Sequence, residues 1–318
     1  MRAAVLHGVG RVPGYGAFPE PVAGDGEAVV RVTAAAFKPS DRLMADGVHY
    51  APAVLPHVVG LDGVGRLEDG SRVAFFGPVP PYGGMAERTL VRRGGWLPVP
   101  DGVDDVTAAA VLNPGMAAWK AVVVEGGVAA GETVLVLGAT GASGRIATRL
   151  AVGLGARVVV GGRDRRVLDR LVADGAGAAV RVDRPQGELA AAIAAEGPFD
   201  LVVDYLWGAP AEAVFAALMR VGGRPGGAAI RYVAVGMSAG EVAALPVMAL
   251  RKAPVRLVGA GAGAGGRAPL ADAAVAYAGL LRQAAAGEMP FEVEAVPLAE
   301  VERVWRRPGG DRRVVLVP

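Results

Sequence analysis

Hydrophobic and polar positions divide the chain into two regions with different patterns. Over residues 1–110, short apolar or alternating runs such as AAVLHG, EAVVRVTAAAF and SRVAFFG are separated by Gly, Pro and Asp. Such runs are typical of a small β-barrel or sandwich. From Glu132 onward, apolar strands alternate with helices, as in ETVLVLG followed by SGRIATRLAVGLG. This alternation predicts a doubly wound parallel sheet with helices on both of its faces.

The pattern changes again near the C-terminus. ADAAVAYAGLLRQAAAG predicts a helix, and it is followed by the strand EVEAVPL, an acidic turn and the strand RRVVLVP. We expect these last strands to return to the first region. The sequence therefore predicts an α/β protein in which residues 1–113 and 270–318 form a discontinuous β domain and residues 114–269 form the doubly wound domain.

Composition excludes several classes of protein. The 318 residues carry a formal charge of only +2, and the arginines do not form the basic stripe that is expected of a protein that binds nucleic acid. No charge-free run reaches the ~18 residues of a spanning helix, and no basic leader precedes an apolar core. We therefore expect a cytoplasmic protein outside the membrane. Because the chain has no cysteine, disulfides, thiolate nucleophiles and sulfur-based zinc sites are excluded.

The strongest motif is a glycine-rich turn between a predicted strand and a helix. It comprises Gly138, Ala139, Thr140, Gly141, Ala142, Ser143 and Gly144. Glycine lets the backbone turn sharply and approach a pyrophosphate, which the positive end of the following helix attracts. The spacing is GxxGxxG instead of GxGxxG, and a tight turn without a ligand is the alternative.

The end of the next strand bears on the choice of dinucleotide. A site for NAD usually has an acidic residue there, which binds the ribose hydroxyls. Here the strand ends at Gly162, and Arg163, Arg165 and Arg166 follow within four residues. Positive charge at this point would accommodate a 2′-phosphate, so we expect NADPH as the cofactor. The alternative is that these arginines are the solvated first turn of a helix.

The order of motifs resembles the medium-chain dehydrogenase/reductase superfamily, and within it the zinc-independent quinone oxidoreductase and enone reductase branch. The similar segments run along nearly the whole chain. They are KPSD at 38–41 with Gly47, PHVVGLDGVG at 56–65, GSRV at 70–73, YGGMAE at 82–87, NPG at 113–115, ATGASG at 139–144 and GDRRVVL at 310–316.

This resemblance implies a GroES-like β-barrel catalytic domain, a Rossmann dinucleotide-binding domain and often a homodimer. Zinc-dependent members use a Cys and a Gly-His-Glu. Leu61 stands in place of that histidine, so no metal is expected. Two departures concern the substrate, because quinone reductases commonly have Asn where this chain has Lys38 and Thr where it has Ala117.

Reduction of an enone or quinone needs a donor that stabilises charge developing on oxygen. The resemblance places Lys38 and Asp41 in the catalytic cleft, where Lys38 could donate to the carbonyl and Asp41 could hold it. A surface ion pair is the alternative, and Asp62 is expected to tie a loop to backbone amides. Tyr50 is a third candidate, as a hydrogen-bond donor or a stacking face. Metal ligation by His49 or His57 is not expected.

The remaining candidates follow predicted strands of the second domain, where open α/β sheets bind ligands. Tyr205, Gly236, Met237 and Gly259 are expected to contact the cofactor. By its place after the fourth strand, Trp207 could line the substrate cleft, although it could equally be a packing residue. The family resemblance places Asn113 in the helix under the nicotinamide, and we expect it to line the substrate cleft.

The leading hypothesis is an NADPH-dependent reductase of quinones or α,β-unsaturated carbonyls. Its partners would be a small-molecule substrate and a second copy of the chain, paired along an edge strand such as VRLVGAG. The alternative is a non-catalytic dinucleotide-binding sensor or scaffold that retains the fold.

Overall fold

The computed structural model describes residues 1–49, 51–223, 227–261, 268–308, 310 and 312–318. The chain forms two compact units. Unit 1 comprises Met1–Asn113 with Pro269–Pro318, and unit 2 comprises Pro114–Ala268. The C-terminal segment of unit 1 thus begins at Pro269, one residue before the expected position 270.

Unit 1 begins with short strands and one short helix. They are β1 (Arg2–Leu6), β2 (Gly14–Ala17), β3 (Glu27–Ala36), α1 (Pro39–Ala45), β4 (His57–Val58), β5 (Asp62–Arg66), β6 (Arg72–Phe76), β7 (Arg88–Arg92) and β8 (Trp96–Pro98). Strand β1 pairs with β2 and β4 in a three-stranded sheet. Helix α2 (Asp105–Trp119) starts where Asp104 accepts a hydrogen bond from Thr107 N at 2.8 Å, and it continues into a π-helical turn over Lys120–Val124.

Unit 2 alternates strands and helices. They are β9 (Thr133–Leu137), α3 (Ala142–Gly153), β10 (Arg157–Gly162), α4 (Arg165–Ala173), β11 (Ala178–Arg181), α5 (Gln186–Glu196), β12 (Leu201–Asp204), α6 (Gly208–Val221), β13 (Ile230–Ala234), α7 (Val247–Lys252) and β14 (Val255–Gly259). The strands form a parallel sheet in the order β11-β10-β9-β12-β13-β14. Every residue of β9 and β12 is buried, as expected of central strands covered on both faces.

The chain then returns to unit 1 with α8 (Leu270–Ala285), β15 (Val293–Pro297), a 3₁₀ turn (Leu298–Glu300), α9 (Val301–Arg306) and β16 (Arg313–Val317). Strand β16 pairs with β3, so both segments of unit 1 share one sheet, ordered β15-β16-β3-β5-β6-β8, and β7 also pairs with β3.

One prediction for this segment was wrong, because the expected acidic turn between β15 and β16 contains the helix α9. Val301, Val304 and Trp305 have helical spacing and pack into the core of unit 1 beside Leu6 and Met44. The intervening Glu and Arg residues obscure this pattern in the sequence.

Within the described part of the chain, one helical stretch, Asp105–Val124, is long and apolar enough to cross a membrane. In the folded protein, 56% of the most apolar segment of this stretch is buried, as expected of a helix in the core.

Candidate functional site

The turn between β9 and α3 requires glycine at particular points. Gly138 has a φ of +79°, and its N–H and that of Ala139 both donate to the carbonyl oxygen of Gly161 at 2.9 Å. A Cβ on Gly144 would lie 2.2 Å from the carbonyl oxygen of Gly138, so α3 begins in close contact with the turn. Gly141, the N-cap of α3, has no capping side chain. The uncapped, positive end of α3 therefore suits an anion.

The rest of the predicted turn lies against the end of β10. Thr140, Ala142 and Ser143 are partly exposed, whereas Ala139 is buried. A Cβ on Gly162 would lie 2.4 Å from Cγ2 of Thr140, so only glycine fits there without displacing the threonine. The structure thus brings the seven turn residues and Gly162 together at the carboxyl ends of two neighbouring strands.

Positive charge follows β10 on the exposed first turn of α4. Asp164 caps this helix by accepting hydrogen bonds from the backbone N–H of Arg166 at 2.9 Å and of Val167 at 3.2 Å. The side chains of Arg163 and Arg166 are exposed, and Arg165 pairs with Asp169 at 3.6 Å. The Asp164 cap accounts for the helix start, so the side chains of Arg163 and Arg166 are available to an anionic ligand.

The other predicted cofactor residues lie at the same edge of the sheet. Asp204, the last residue of β12, is in register with Leu137 of β9 and Ala234 of β13. Tyr205 follows directly, and its carbonyl oxygen would lie 2.7 Å from a Cβ on Gly236. Met237 comes next in that loop, and Gly259 is the residue of β14 in register with Ala234. The structure therefore groups Tyr205, Gly236, Met237 and Gly259 at the carboxyl edge.

Asp204 organises the loop after β12, and sequence reasoning did not assign it a role. Its Oδ1 accepts hydrogen bonds from Leu206 N at 2.7 Å and Trp207 N at 3.0 Å, and its Oδ2 accepts one from the Tyr232 hydroxyl at 2.6 Å. Burial raises the pKa of Asp204, against the lowering effect of these bonds. The hydroxyl of Tyr205 is buried with no hydrogen-bond partner in the described structure, and burial raises its pKa.

Unit 1 holds a separate cluster of buried charges around Lys38, which is only 3% exposed. Its ammonium donates to Asp62 Oδ1 at 2.9 Å, to the carbonyl oxygen of Ala36 at 3.2 Å and to Asp41 Oδ2 at 3.3 Å. All three N–H groups are therefore directed at protein acceptors. This geometry corrects one expectation for Lys38, because its ion pair is buried and not at the surface. Donation to a substrate oxygen stays a prediction.

Asp41 has the loop-tying role that the sequence suggested for Asp62. Its carboxylate accepts hydrogen bonds from Lys38 N at 2.9 Å and from Leu61 N at 3.3 Å. Burial raises the pKa of Asp41, and the Lys38 ammonium opposes this shift. Asp41 thus joins the start of α1 to the segment before β5.

Arg313 extends this charge cluster from the far end of the chain. Val315 pairs with Ala36, and Phe37 N donates to Val314 O at 2.9 Å, so the register places Arg313 next to Lys38. Burial lowers the pKa of Arg313, and the charges of Asp62 and Asp41 oppose this. In the described structure, Nε and Nη2 of Arg313 and Oδ2 of Asp62 are buried without hydrogen bonds. The RRVVLVP pattern predicts a strand but not this electrostatic role.

The remaining candidates are less closely defined. Tyr50 lies outside the described residues, and Asn113 is half-buried in α2. His57 is buried in β4, its Nδ1 has no hydrogen-bond partner among the described residues, and burial lowers its pKa. The described residues contain no group of three His, Cys, Asp or Glu side chains suited to a metal ion.

Solved structures share the fold of the chain, whereas no family model and no curated protein sequence matches it. AibC superposes with a TM-score of 0.82 at 24% identity, over 100% of this chain and 96% of that protein. The quinone oxidoreductase from Thermus thermophilus, whose structures include a complex with NADPH, gives 0.77 at 28% identity over 100% of both chains. An NAD-dependent alcohol dehydrogenase gives 0.79 at 25% identity over 100% of both chains. The fold is thus a Rossmann domain combined with a GroES-like domain.

Proposed function

We propose that the chain is an NADPH-dependent oxidoreductase of the medium-chain dehydrogenase/reductase superfamily, as its solved structural neighbours suggest. It transfers hydride, without zinc, to a quinone or an α,β-unsaturated carbonyl. The observation that carries this proposal is the carboxyl edge of the unit 2 sheet. There the glycine turn, the uncapped end of α3 and the loops after β12 and β13 surround the topological switch between β9 and β12, where open α/β sheets bind dinucleotides.

The preference for NADPH rests on the end of β10. An acidic side chain at this point would bind the ribose hydroxyls of NADH. Here Gly162 ends the strand and Asp164 is occupied as a helix cap, whereas Arg163 and Arg166 extend into solvent. When bound, the cofactor supplies the hydride, and this chain's residues position the nicotinamide and exclude water. The solved quinone oxidoreductase with NADPH supports this assignment by similarity.

Zinc independence rests on the residues around Lys38. Leu61 offers no ligand atom, and the Lys38 ammonium already binds the carboxylates of Asp41 and Asp62. A divalent cation at these carboxylates would have to displace a buried ammonium. We expect less than about 0.1 zinc per chain by elemental analysis and an unchanged rate after EDTA treatment, because a structural or catalytic zinc site would be filled stoichiometrically. Stoichiometric zinc with loss of rate on chelation would contradict the proposal.

The decisive experiment measures NADPH and NADH oxidation with small quinones, 2-alkenals and saturated aldehydes. We expect turnover with the first two acceptor classes, and a kcat/KM at least about tenfold higher for NADPH than for NADH. Oxidation of alcohols with NAD⁺ as the main activity would favour the alcohol dehydrogenases instead. Tight NADPH binding without turnover of any acceptor would favour a sensor or scaffold. Tyr50 remains our proposal for the hydrogen-bond donor to the acceptor oxygen.

We also propose that two copies pair along β14. This strand is at the edge of the unit 2 sheet, and Leu257 on it is 44% exposed. On the preceding helix α7, Val247 and Met248 are 67% and 44% exposed. Pairing would bury this apolar surface and satisfy the unpaired strand edge. Sedimentation of the chain should give a dimer, and Leu257→Lys should give a folded monomer; a wild-type monomer would refute the pairing.

A further inference from the structure

Trp207 has a backbone conformation that is unusual for a residue with a side chain. Its φ is +55° with a ψ of −157°, and among the described residues it is the only non-glycine with a positive φ. This region is occupied almost only by glycine, because a Cβ crowds the neighbouring carbonyl. The structure therefore has to stabilise a strained residue at this point, and strained residues of this kind are concentrated at functional sites.

Buried hydrogen bonds hold the strained loop. The Asp204 carboxylate, which is 0% exposed, accepts a hydrogen bond from Trp207 N at 3.0 Å and another from Leu206 N at 2.7 Å. Leu206 O in turn accepts a hydrogen bond from Ala239 N at 2.8 Å. A Cβ on the following residue, Gly208, would lie 2.7 Å from the carbonyl oxygen of Ala239, so the entry into α6 allows little adjustment.

The indole of Trp207 rests on two buried rings. Its centroid lies 6.2 Å from that of Phe215 at an interplanar angle of 80°, and 6.1 Å from that of Tyr232 at 85°. Both supporting rings are 0% exposed, and Tyr232 is fixed by its hydrogen bond to Asp204. Both contacts are edge-to-face, and Trp207 itself is only half-buried. The two buried rings thus hold the indole in place, and part of its surface is exposed.

The position of Trp207 relates it to one half of the dinucleotide. The glycine turn after β9 and the arginines after β10 suit the pyrophosphate and the adenosine half. The nicotinamide half must then extend to the other side of the switch point, over the ends of β12 and β13. Trp207 lies three residues beyond the end of β12 on that side, in the same loop as Tyr205, whose backbone packs against Gly236 of the loop after β13.

We propose that Trp207 is a specificity-determining residue, whose fixed indole forms an apolar wall that selects flat, conjugated hydride acceptors beside the nicotinamide. The inference rests on the proposed function and deepens it. An acceptor with a planar ring or enone can lie against the wall, whereas bulky substituents out of that plane collide with it. Glycine would adopt the positive φ at position 207 without strain, but it would not provide the apolar wall.

The test compares Trp207→Phe, Trp207→Ala and Trp207→Gly with the unchanged chain. For a small quinone, we expect kcat/KM to fall about tenfold in the Ala and Gly variants and less in the Phe variant, in line with loss of an aromatic contact. The ratio of rates for a quinone with bulky out-of-plane substituents to the small quinone should rise. The dissociation constant of NADPH should change less than about twofold, since the contact concerns the acceptor. Trp96→Phe, in unit 1, is the matched control and should change neither quantity.

The unfolding temperatures of the variants distinguish the effect of the strained backbone from the effect of the indole ring. Trp207→Ala and Trp207→Gly remove the same indole, but only glycine accepts the positive φ without strain, so the Gly variant should unfold at the higher temperature. Equal losses for planar and bulky acceptors, with NADPH binding weakened alike, would show that the indole is only a packing residue and overturn the inference. Absence of turnover by the unchanged chain would instead overturn the proposed function, and this inference with it.

Discussion

At the scale of single residues, Lys38 shows how far a side chain's role depends on distant contacts. Its identity and its place before α1 are evident in the sequence. Its principal acceptor, Asp62, is 24 residues away, so the sequence could not reveal that the ammonium points inward. Removing a charge from water is costly and is offset only when several partners surround it. The two carboxylates and the Ala36 carbonyl provide those partners.

We predict that Lys38→Met destabilises the fold, because it leaves two buried carboxylates without their cation. Breaking a buried ion pair from one side costs about 3–5 kcal/mol. The double variant Lys38→Met with Asp62→Asn should recover part of this loss, since it also removes one of the carboxylate charges. Urea denaturation measures both effects, and Lys252→Met, at an exposed lysine, is the control. Normal stability with a roughly 10- to 1,000-fold lower turnover, about 1.4–4 kcal/mol, would instead support a role at the substrate.

His57 is a second buried group with a testable charge. Burial lowers its pKa from the ordinary 6.5, so His57 takes up a proton at a lower pH in the folded protein than in the unfolded chain. The unfolded chain then binds more protons below pH 6.5, and stability must fall as the pH decreases from there towards the folded pKa. The slope for one group is at most about 1.4 kcal/mol per pH unit. His57→Gln should remove this component from urea titrations between about pH 5 and 8, the range in which histidine titrates, whereas the exposed His7→Gln should not; an identical acid loss in both variants would exclude His57.

At the scale of elements, regular βα units were more predictable than irregular loops. ETVLVLG, SGRIATRLAVGLG and ARVVVGG correspond to β9, α3 and β10, because strand and helix periodicities are strong in consecutive buried elements. The two-residue strand β4 is too short to show a period, and α9 is masked by charged residues between its buried positions. The loop at Trp207 was not predictable for another reason, since Asp204 and Tyr232 meet only across adjacent strands.

The start of α4 should determine which dinucleotide binds. Arg163→Ala and Arg166→Ala each remove a cation from the end of β10, and a hydrogen bond to a charged group contributes about 1.5–3 kcal/mol. We expect NADPH affinity to fall about 10- to 100-fold in each variant, measured calorimetrically. NADH affinity should stay nearly constant, because NADH lacks the 2′-phosphate. Arg165→Ala is the control, since Arg165 already pairs with Asp169. Equal or tighter binding of NADH by the unchanged protein would refute the selectivity.

At the scale of the whole molecule, the two units differ in how the chain builds them. Unit 2 is one continuous segment, and its core packs strands β9 and β12 against Phe199 and Phe215. Unit 1 needs both ends of the chain. Besides the pairing of β16 with β3, the Tyr277 hydroxyl donates to Ala108 O at 2.8 Å, and Arg42 donates to the carbonyl oxygen of Trp305 at 2.9 Å. This connectivity makes the folding of unit 1 depend on contacts that are far apart in sequence.

A shortened chain of residues 105–268 should therefore fold by itself and bind NADPH. It retains the whole parallel sheet and the glycine turn, and all members of the hydrophobic core cluster of unit 2 lie within it. Residues 1–104 alone lack β15, β16 and α9 and should remain largely unfolded, because β3 loses a neighbour and the apolar core around Trp305 is left open. Circular dichroism measures folding, and titration of NADPH fluorescence measures binding. The affinity of the 105–268 fragment should be within about tenfold of that of the full chain, a difference of about 1.4 kcal/mol. A folded fragment without NADPH affinity would mean that the binding residues of unit 2 are insufficient, and a cooperatively folding 1–104 would mean that the returning strands are dispensable.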